Sequence, residues 1–308
     1  MTERIIEVKH LKKYYRDVKA VDDISFSVEK GELFGFLGVN GAGKSTAINI
    51  LCTLYERDGG DVRIAGLALG RDDERIRQRI GMVHQENCLD GLLTVRENLM
   101  VRGAVYGGTK AGLEEGVARV SSELELQDVL DRRYDRLSGG QKRRAEIAAA
   151  LMHSPDILFL DEPTTGLDPA TRRRVWQAIR SLQRKLGMTV FLTTHYMEEA
   201  AAADHICIID HGRVLMAGTP FELKKEYVRD ILRIYVAPEK KAAVREMLMN
   251  RALHLTGETD DMIEAEIDGT MAALPVLNEI APEIGEFEVI QGTMDDVFLN
   301  VTGGDRNA

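Results

Sequence analysis

Residues 33–46, LFGFLGVNGAGKST, carry a bulky apolar run straight into a glycine-rich turn that closes on Lys-Ser-Thr. The turn fits G-x-x-x-x-G-K-[ST] from Gly38 to Ser45 and lies between an apolar strand-like run and a helix-like one. Such a stretch folds as strand, loop and helix. Its glycines permit dihedrals closed to other residues and a close approach by a ligand. Backbone N–H groups from Asn40 through Gly41, Ala42, Gly43 and Lys44 to Ser45 then converge on an anion, and the new helix adds the positive end of its dipole. Lys44 is expected to reach the β- and γ-phosphates of a nucleotide, and the Ser45 hydroxyl to ligate Mg²⁺, with Thr46 beside it.

Two further apolar runs, ILFLDE (157–162) and TVFLTT (189–194), match LFGFLG in length and character. Near-continuous hydrophobicity is the mark of parallel strands covered by helices on both faces. Helical stretches at Gly43–Leu54 and Thr171–Leu186 fall between these runs, so an α/β core is expected. Residues 86 to 154 are rich in helix formers and lack a comparable strand, which predicts an all-helical insert. The second run ends in Asp161 and Glu162. A carboxylate there sits where a phosphate-loop protein holds Mg²⁺, and Glu162 is placed to polarise the attacking water as general base.

After Pro220 the pattern changes to alternation. LRIYVA (232–237), ALHLTG, MIEAEID (262–268) and EFEVI (286–290) read as half-exposed strands. Val244, Met247, Leu248 and Arg251 mark one helical face, and Ala273, Leu277 and Ile280 another, which Pro275 is expected to shorten or displace. The order β-α-β-β-α-β predicts a small α+β domain of ferredoxin-like topology over 221–308, after a first domain over 1–220.

Composition excludes several alternatives. With 40 basic and 50 acidic side chains the net charge is −10, which disfavours nucleic acid as a partner. Cys52, Cys88 and Cys207 show no CxxC pairing and read as reduced thiols. The start, MTERIIEVKH, has no apolar signal region, and the longest uninterrupted apolar run, Ile147–Met152, is far short of a membrane helix.

One stretch is left over: LSGGQKRR, residues 137–144. Ser138 is a good helix N-cap, and Gly139 and Gly140 leave backbone N–H groups bare, so the turn is an anion site without enough Lys or Arg aimed forward to bind ATP alone. Lys142, Arg143 and Arg144 are expected to be solvated or to make subunit contacts. Together with the phosphate loop, strand-DE, TTGLD and a later lone His, LSGGQ resembles the nucleotide-binding subunit of an ATP-binding cassette (ABC) transporter over residues 4 to about 220.

That resemblance implies a P-loop NTPase (ABC ATPase) core with an antiparallel β subdomain, and ATP and Mg²⁺ as cofactors. It implies two cassettes packed head to tail, a homodimer or a two-gene heterodimer, in which Ser138, Gly139, Gly140 and Gln141 contact the γ-phosphate held by the other subunit. It also implies that Tyr15, with Tyr14 as its rival, stacks on adenine, and that Gln85 touches Mg²⁺ or water. By the same likeness Asp168 bridges the subunits, and His195 is the switch histidine on the γ-phosphate. RDGGDVRIAG lacks a proline common in relatives, and His84 stands where relatives often have proline; neither position touches nucleotide. The tail TMDDVFLNVTG resembles the multidrug and antibiotic, daunorubicin-resistance-type, exporter branch. The implied partner is an ABC-2-type transmembrane permease that holds this chain at the cytoplasmic face of the membrane, with export of a small molecule or drug as the task. The rival expectation is a soluble ABC ATPase acting on ribosomes or nucleic acid.

Overall fold

A computed structural model describes residues 3–303. They divide into two compact units, one ending at Ala217 and the other beginning at Gly218. The first runs β1 (Arg4–Tyr15), β2 (Val18–Glu29), β3 (Leu33–Leu37), α1 (Lys44–Leu51), β4 (Gly59–Ile64), β5 (Leu67–Ala68), α2 (Asp73–Arg77) and β6 (Ile80–Val83). It continues α3 (Val95–Ala104), α4 (Lys110–Glu123), α5 (Gly139–Ala150), β7 (Ile157–Asp161), α6 (Pro169–Leu186), β8 (Thr189–Thr194), α7 (Met197–Ala200), β9 (His205–Asp210) and β10 (Arg213–Gly218).

The three apolar runs become adjacent strands. The six-stranded sheet has the order β10-β9-β3-β8-β7-β6, and β9, β3, β8, β7 and β6 pair with one another in parallel. Every residue of β3, β7 and β8 is buried, which explains why none of them alternates. Parallel strands deliver their carboxyl ends to one edge, where ligands bind in open α/β sheets. Here that edge collects the loop after Leu37, the Asp161–Glu162 pair and His195. α1 is shorter than the sequence suggests, because Cys52 closes it and Thr53 takes a positive φ of 62°.

A second, antiparallel sheet has the order β2-β1-β4-β5. Phe26 of β2 lies 5.6 Å from Phe34, 5.3 Å from Phe36 and 6.0 Å from Phe191, centroid to centroid. Each such ring removed from water contributes roughly 1.5–3 kcal/mol, so this cluster fixes the antiparallel sheet to the central one. Between β6 and β7 the chain is helical, apart from an isolated bridge between Thr94 and Arg133. A Thr94–Glu97 capping box starts α3. Asp168 caps α6, with Pro169 at its first position and Gly187 in the left-handed region at its end.

The second unit contains α8 (Pro220–Tyr227), β11 (Asp230–Tyr235), α9 (Pro238–Asn250), β12 (Leu255–Thr259), β13 (Met262–Ile267), α10 (Ala273–Ile280), β14 (Glu286–Ile290) and α11 (Met294–Gly303). Its sheet order, β12-β13-β11-β14, is antiparallel throughout, which is the ferredoxin-like arrangement of the β-α-β-β-α-β order. Pro275 falls in the first turn of α10, where its missing N–H has no helical partner to lose. The tail motif has a local cause too. Thr293 and Asp296 cap α11 through Thr293 N–H and Oγ1 to Asp296 Oδ2, at 2.8 and 2.6 Å, while Val297 is fully buried.

Candidate nucleotide site

The phosphate loop leaves β3 at Gly38 and enters α1 at Lys44. Two glycines there have no substitute. A Cβ on Gly38 would come within 2.4 Å of the Ile209 carbonyl oxygen, and one on Gly43, at φ +103°, within 2.1 Å of the Ala20 carbonyl oxygen. Lys44 is buried, and its Nζ donates to the carbonyls of Gly38 at 2.8 Å and Val39 at 3.1 Å. The same ammonium lies 3.6 Å from Glu162 Oε1. Burial lowers the Lys44 pKa, while the Glu162 and Asp161 charges act the other way. Asn40, Gly41, Ser45 and Thr46 line the same open groove, which also takes in Gln85, Glu162, Thr165, His195 and His211. Ala42 is buried, and its carbonyl accepts the Gly212 N–H at 3.0 Å.

Thr193 organises the acidic end of β7. Its Oγ1 donates to Asp161 Oδ1 at 2.5 Å and accepts the Glu162 N–H at 3.1 Å. Glu162 is held in the left-handed region at φ 45°, a conformation that costs a non-glycine residue about 1–3 kcal/mol and recurs at functional sites. Its Oε2 accepts from Thr165 Oγ1 at 3.0 Å and lies 3.2 Å from His195 Nδ1. That histidine nitrogen is buried without a hydrogen-bond partner, so the approach to Glu162 is not an aligned bond. Glu162 is therefore the hub between Lys44 and His195.

Tyr15 is 45% exposed and shares a pocket with Ser45 and Thr46. Its neighbour Tyr14 is occupied elsewhere, donating its hydroxyl to Asp22 Oδ1 at 3.0 Å. Asp168 is exposed and accepts the N–H groups of Ala170 and Thr171, both at 3.0 Å. Ser138 caps α5 in a box with Gln141, whose Oε1 accepts the Ser138 N–H at 3.0 Å. Ser138, Gly140 and Gln141 line a different hollow, with Arg144, Thr171 and Arg174. The structure thus gathers Lys44, Ser45, Gln85, Glu162 and His195 into one groove and places the Ser138–Gln141 turn of LSGGQ, hereafter the signature turn, in another.

The expectation for the three cations after LSGGQ is corrected at Arg143. Arg143 is buried, and its guanidinium donates to the carbonyls of His84 at 2.5 Å, Pro163 at 2.7 Å and Asp161 at 3.1 Å. Arg144 bonds the carbonyls of Leu124 and Glu125, each at 3.0 Å, and the Lys142 ammonium sits over the Tyr134 ring. Sequence reasoning also passed over Thr193 and Thr165. Only the pairing of Asp161 with Thr193 across β7 and β8 reveals the first.

The donors near the phosphate loop (the Ser45 hydroxyl, the Gln85 amide and the Asp161 carboxylate) are all oxygen ligands suited to a hard cation. Among the described residues no group of three or more His, Cys, Asp or Glu forms a metal cage. One carboxylate with a hydroxyl and an amide suits Mg²⁺, which is usually held by one or two carboxylates together with substrate phosphates. Among the described residues no helix is long and apolar enough to cross a membrane.

The family model described as "ABC transporter" matches residues 21–165. The daunorubicin/doxorubicin resistance ATP-binding protein DrrA of Streptomyces peucetius is 40% identical over 307 residues, covering 97% of this chain and 93% of its own. The chain belongs to the ABC transporter ATP-binding family. Another relative, the Nod factor export ATP-binding protein I of Burkholderia orbicola, is 40% identical over 309 residues and 97% of each chain. Among solved structures, the ABC cassette MJ0796, a dimer bound to ADP and Pi, matches with a TM-score of 0.63 at 28% identity. That match covers 70% of this chain and 98% of the solved one. The cbiO1 subunit of Clostridium perfringens matches with a TM-score of 0.68 at 27% identity, covering 80% and 95%. As an ABC cassette, the chain is an ATP-binding subunit whose hydrolysis of ATP is coupled to transport.

Proposed function

We propose that this chain energises export of a small molecule or drug by a separate ABC-2-type permease, and that it works as a head-to-tail dimer at the cytoplasmic face of the membrane. The observation that carries the dimer is the separation of the site into two halves. The groove with Lys44 and Glu162 lacks the Ser138–Gln141 turn, whose Gly139 and Gly140 N–H groups lie outside the capping box and suit a phosphate presented by a second copy. The export reading is supported by relatives named for daunorubicin resistance and Nod factor export, which align over 97% of the chain.

In this reading Lys44 exchanges its loop carbonyls for the β- and γ-phosphates, cradled by Gly38 and Asn40–Ser45, with Thr46 adjoining. Ser45, Asp161 and Gln85 would hold Mg²⁺, which would supply positive charge to screen the phosphates. Glu162 takes the proton of the attacking water, and His195 faces the γ-phosphate from the other side of Glu162. Tyr15 stacks on adenine, and Asp168 fixes the turn that meets the partner cassette. Residues 1–220, with their helical segment at about 86–154, form the motor, and 221–308 an accessory domain.

Co-expression with an ABC-2-type permease, the product of a neighbouring reading frame being the first candidate, followed by reconstitution in vesicles, tests the proposal. The chain is expected to co-sediment with membranes only when that protein is present, and its Mg²⁺-dependent ATP hydrolysis to rise on pairing. A chain that stays in the supernatant beside its partner, or hydrolyses equally in EDTA, would overturn it.

A further inference from the structure

The helix that follows the signature turn grips the Gln85 loop from both sides. Arg143 and Glu146 lie one turn apart on α5 and so share a face. Arg143 Nη1 holds the His84 carbonyl, just before Gln85, at 2.5 Å. Glu146 Oε1 accepts the N–H groups of Cys88 at 2.8 Å and Leu89 at 3.1 Å, just after it, and the Tyr134 hydroxyl at 2.8 Å. Between the two grips Gln85, Glu86 and Asn87 are exposed. The other two Arg143 bonds go to Asp161 and Pro163, the carbonyls on either side of Glu162.

Burying a guanidinium and a carboxylate is expensive, and solvent would satisfy loop carbonyls and amides at less cost. The expense has a return only if these segments must be held together. A planar fork with five donors suits three fixed carbonyls, where an ammonium would not.

We propose that Arg143 and Glu146 are positioning residues that make α5, the Gln85 loop and the backbone around Glu162 one moving part. Whatever engages Ser138–Gln141 at the start of α5 then also sets Gln85 and Glu162. The consequence for catalysis rests on the proposed roles of those two residues; the mechanical link does not.

The full-length chain carries its own probe. Cys88 lies in the loop and is exposed, while Cys52 and Cys207 are buried. Burial and the Glu146 charge both push the Cys88 thiol up, so reaction with a small aromatic disulfide reagent, without nucleotide and compared per thiolate, reads the loop. Glu146→Gln and Arg143→Lys should each speed Cys88 modification about fivefold, the worth of one lost hydrogen bond, and Glu146→Ala more than Glu146→Gln. Affinity for a fluorescent ATP analogue should stay within about twofold while kcat falls about tenfold, a split that general destabilisation would not give.

Parental Cys88 rates in both variants would overturn the link. Faster Cys88 with parental kcat would overturn its coupling to catalysis, and absent hydrolysis in the parent itself would instead strike at the proposed function. Should the variants not fold, deuterium exchange on the parent decides. The Cys88 and Leu89 amides should exchange as slowly as those of α5, and exchange at exposed-loop rates would overturn the proposal.

Discussion

The Lys44 ammonium stands 3.6 Å from the Glu162 carboxylate, and both side chains are buried. The proposed general base is thus held by the very cation that phosphate would draw away. Glu162→Gln keeps the shape and removes the base. ATP binding should persist while hydrolysis slows by roughly 10²–10⁴, the usual worth of a general base. ATP-bound dimers should then accumulate on size exclusion with Mg-ATP. A variant that hydrolyses at the parental rate would remove Glu162 from this role.

The two tyrosines give a second test. Tyr14 is bonded to Asp22, whereas Tyr15 is exposed beside Ser45 and Thr46. Tyr15→Ala should weaken ATP binding roughly tenfold, within the range for losing a base–aromatic stack. Tyr14→Phe should leave affinity nearly unchanged. Titration with a fluorescent nucleotide checks both, and the opposite ranking would reassign the adenine contact.

What the sequence made legible follows from how local each signal is. The phosphate loop, the ends of β7 and β8, and the Ser138 cap are set by neighbours within a few residues, so short motifs expose them. Arg143 is different. Its sequence context, KRR after a helix start, reads as a solvated face, and only the fold brings His84, Asp161 and Pro163 around it. Thr193 likewise looks like one more strand residue until β7 and β8 pair. The ferredoxin-like order of 218–303 was visible because alternation and two helical faces are regional patterns. The Asp22 cluster was invisible, since it joins β2 to β10 across nearly two hundred residues.

That cluster predicts an acid limit. Asp22 accepts from Arg213 Nε at 3.0 Å and Nη2 at 2.8 Å, and from Tyr14. The Arg213 bonds, then the Tyr14 bond, hold its pKa below the ordinary 3.8. For a carboxyl lowered on folding, the stabilisation is complete above the unfolded value and is lost as pH falls through the folded one. Asp22→Asn should lower the thermal midpoint at pH 7, and the gap to the parent should narrow below about pH 4. A gap constant with pH would assign the effect to packing.

Ending the chain after Ala217 should leave a soluble core that binds ATP within about threefold of the parent, as expected of a self-contained domain. Every residue assigned to nucleotide lies upstream. Insoluble or nucleotide-blind protein would show that the second unit completes the first.

The shared site has the most demanding test. Lys44→Ala removes a phosphate charge, and Ser138→Arg pushes a bulky cation into the signature hollow, so each should abolish hydrolysis when both subunits carry it. Mixed one to one, the two variants form heterodimers in which one site has both defects and the other has neither. Random pairing in a two-fold dimer makes half the dimers mixed, so about a quarter of the parental rate should return if each intact site works alone. A dilution series on the parent supplies the second reading, because the rate per chain should fall as dimers dissociate. No recovery on mixing, together with a concentration-independent rate from a demonstrated monomer, would mean that each chain hydrolyses ATP with its own signature turn.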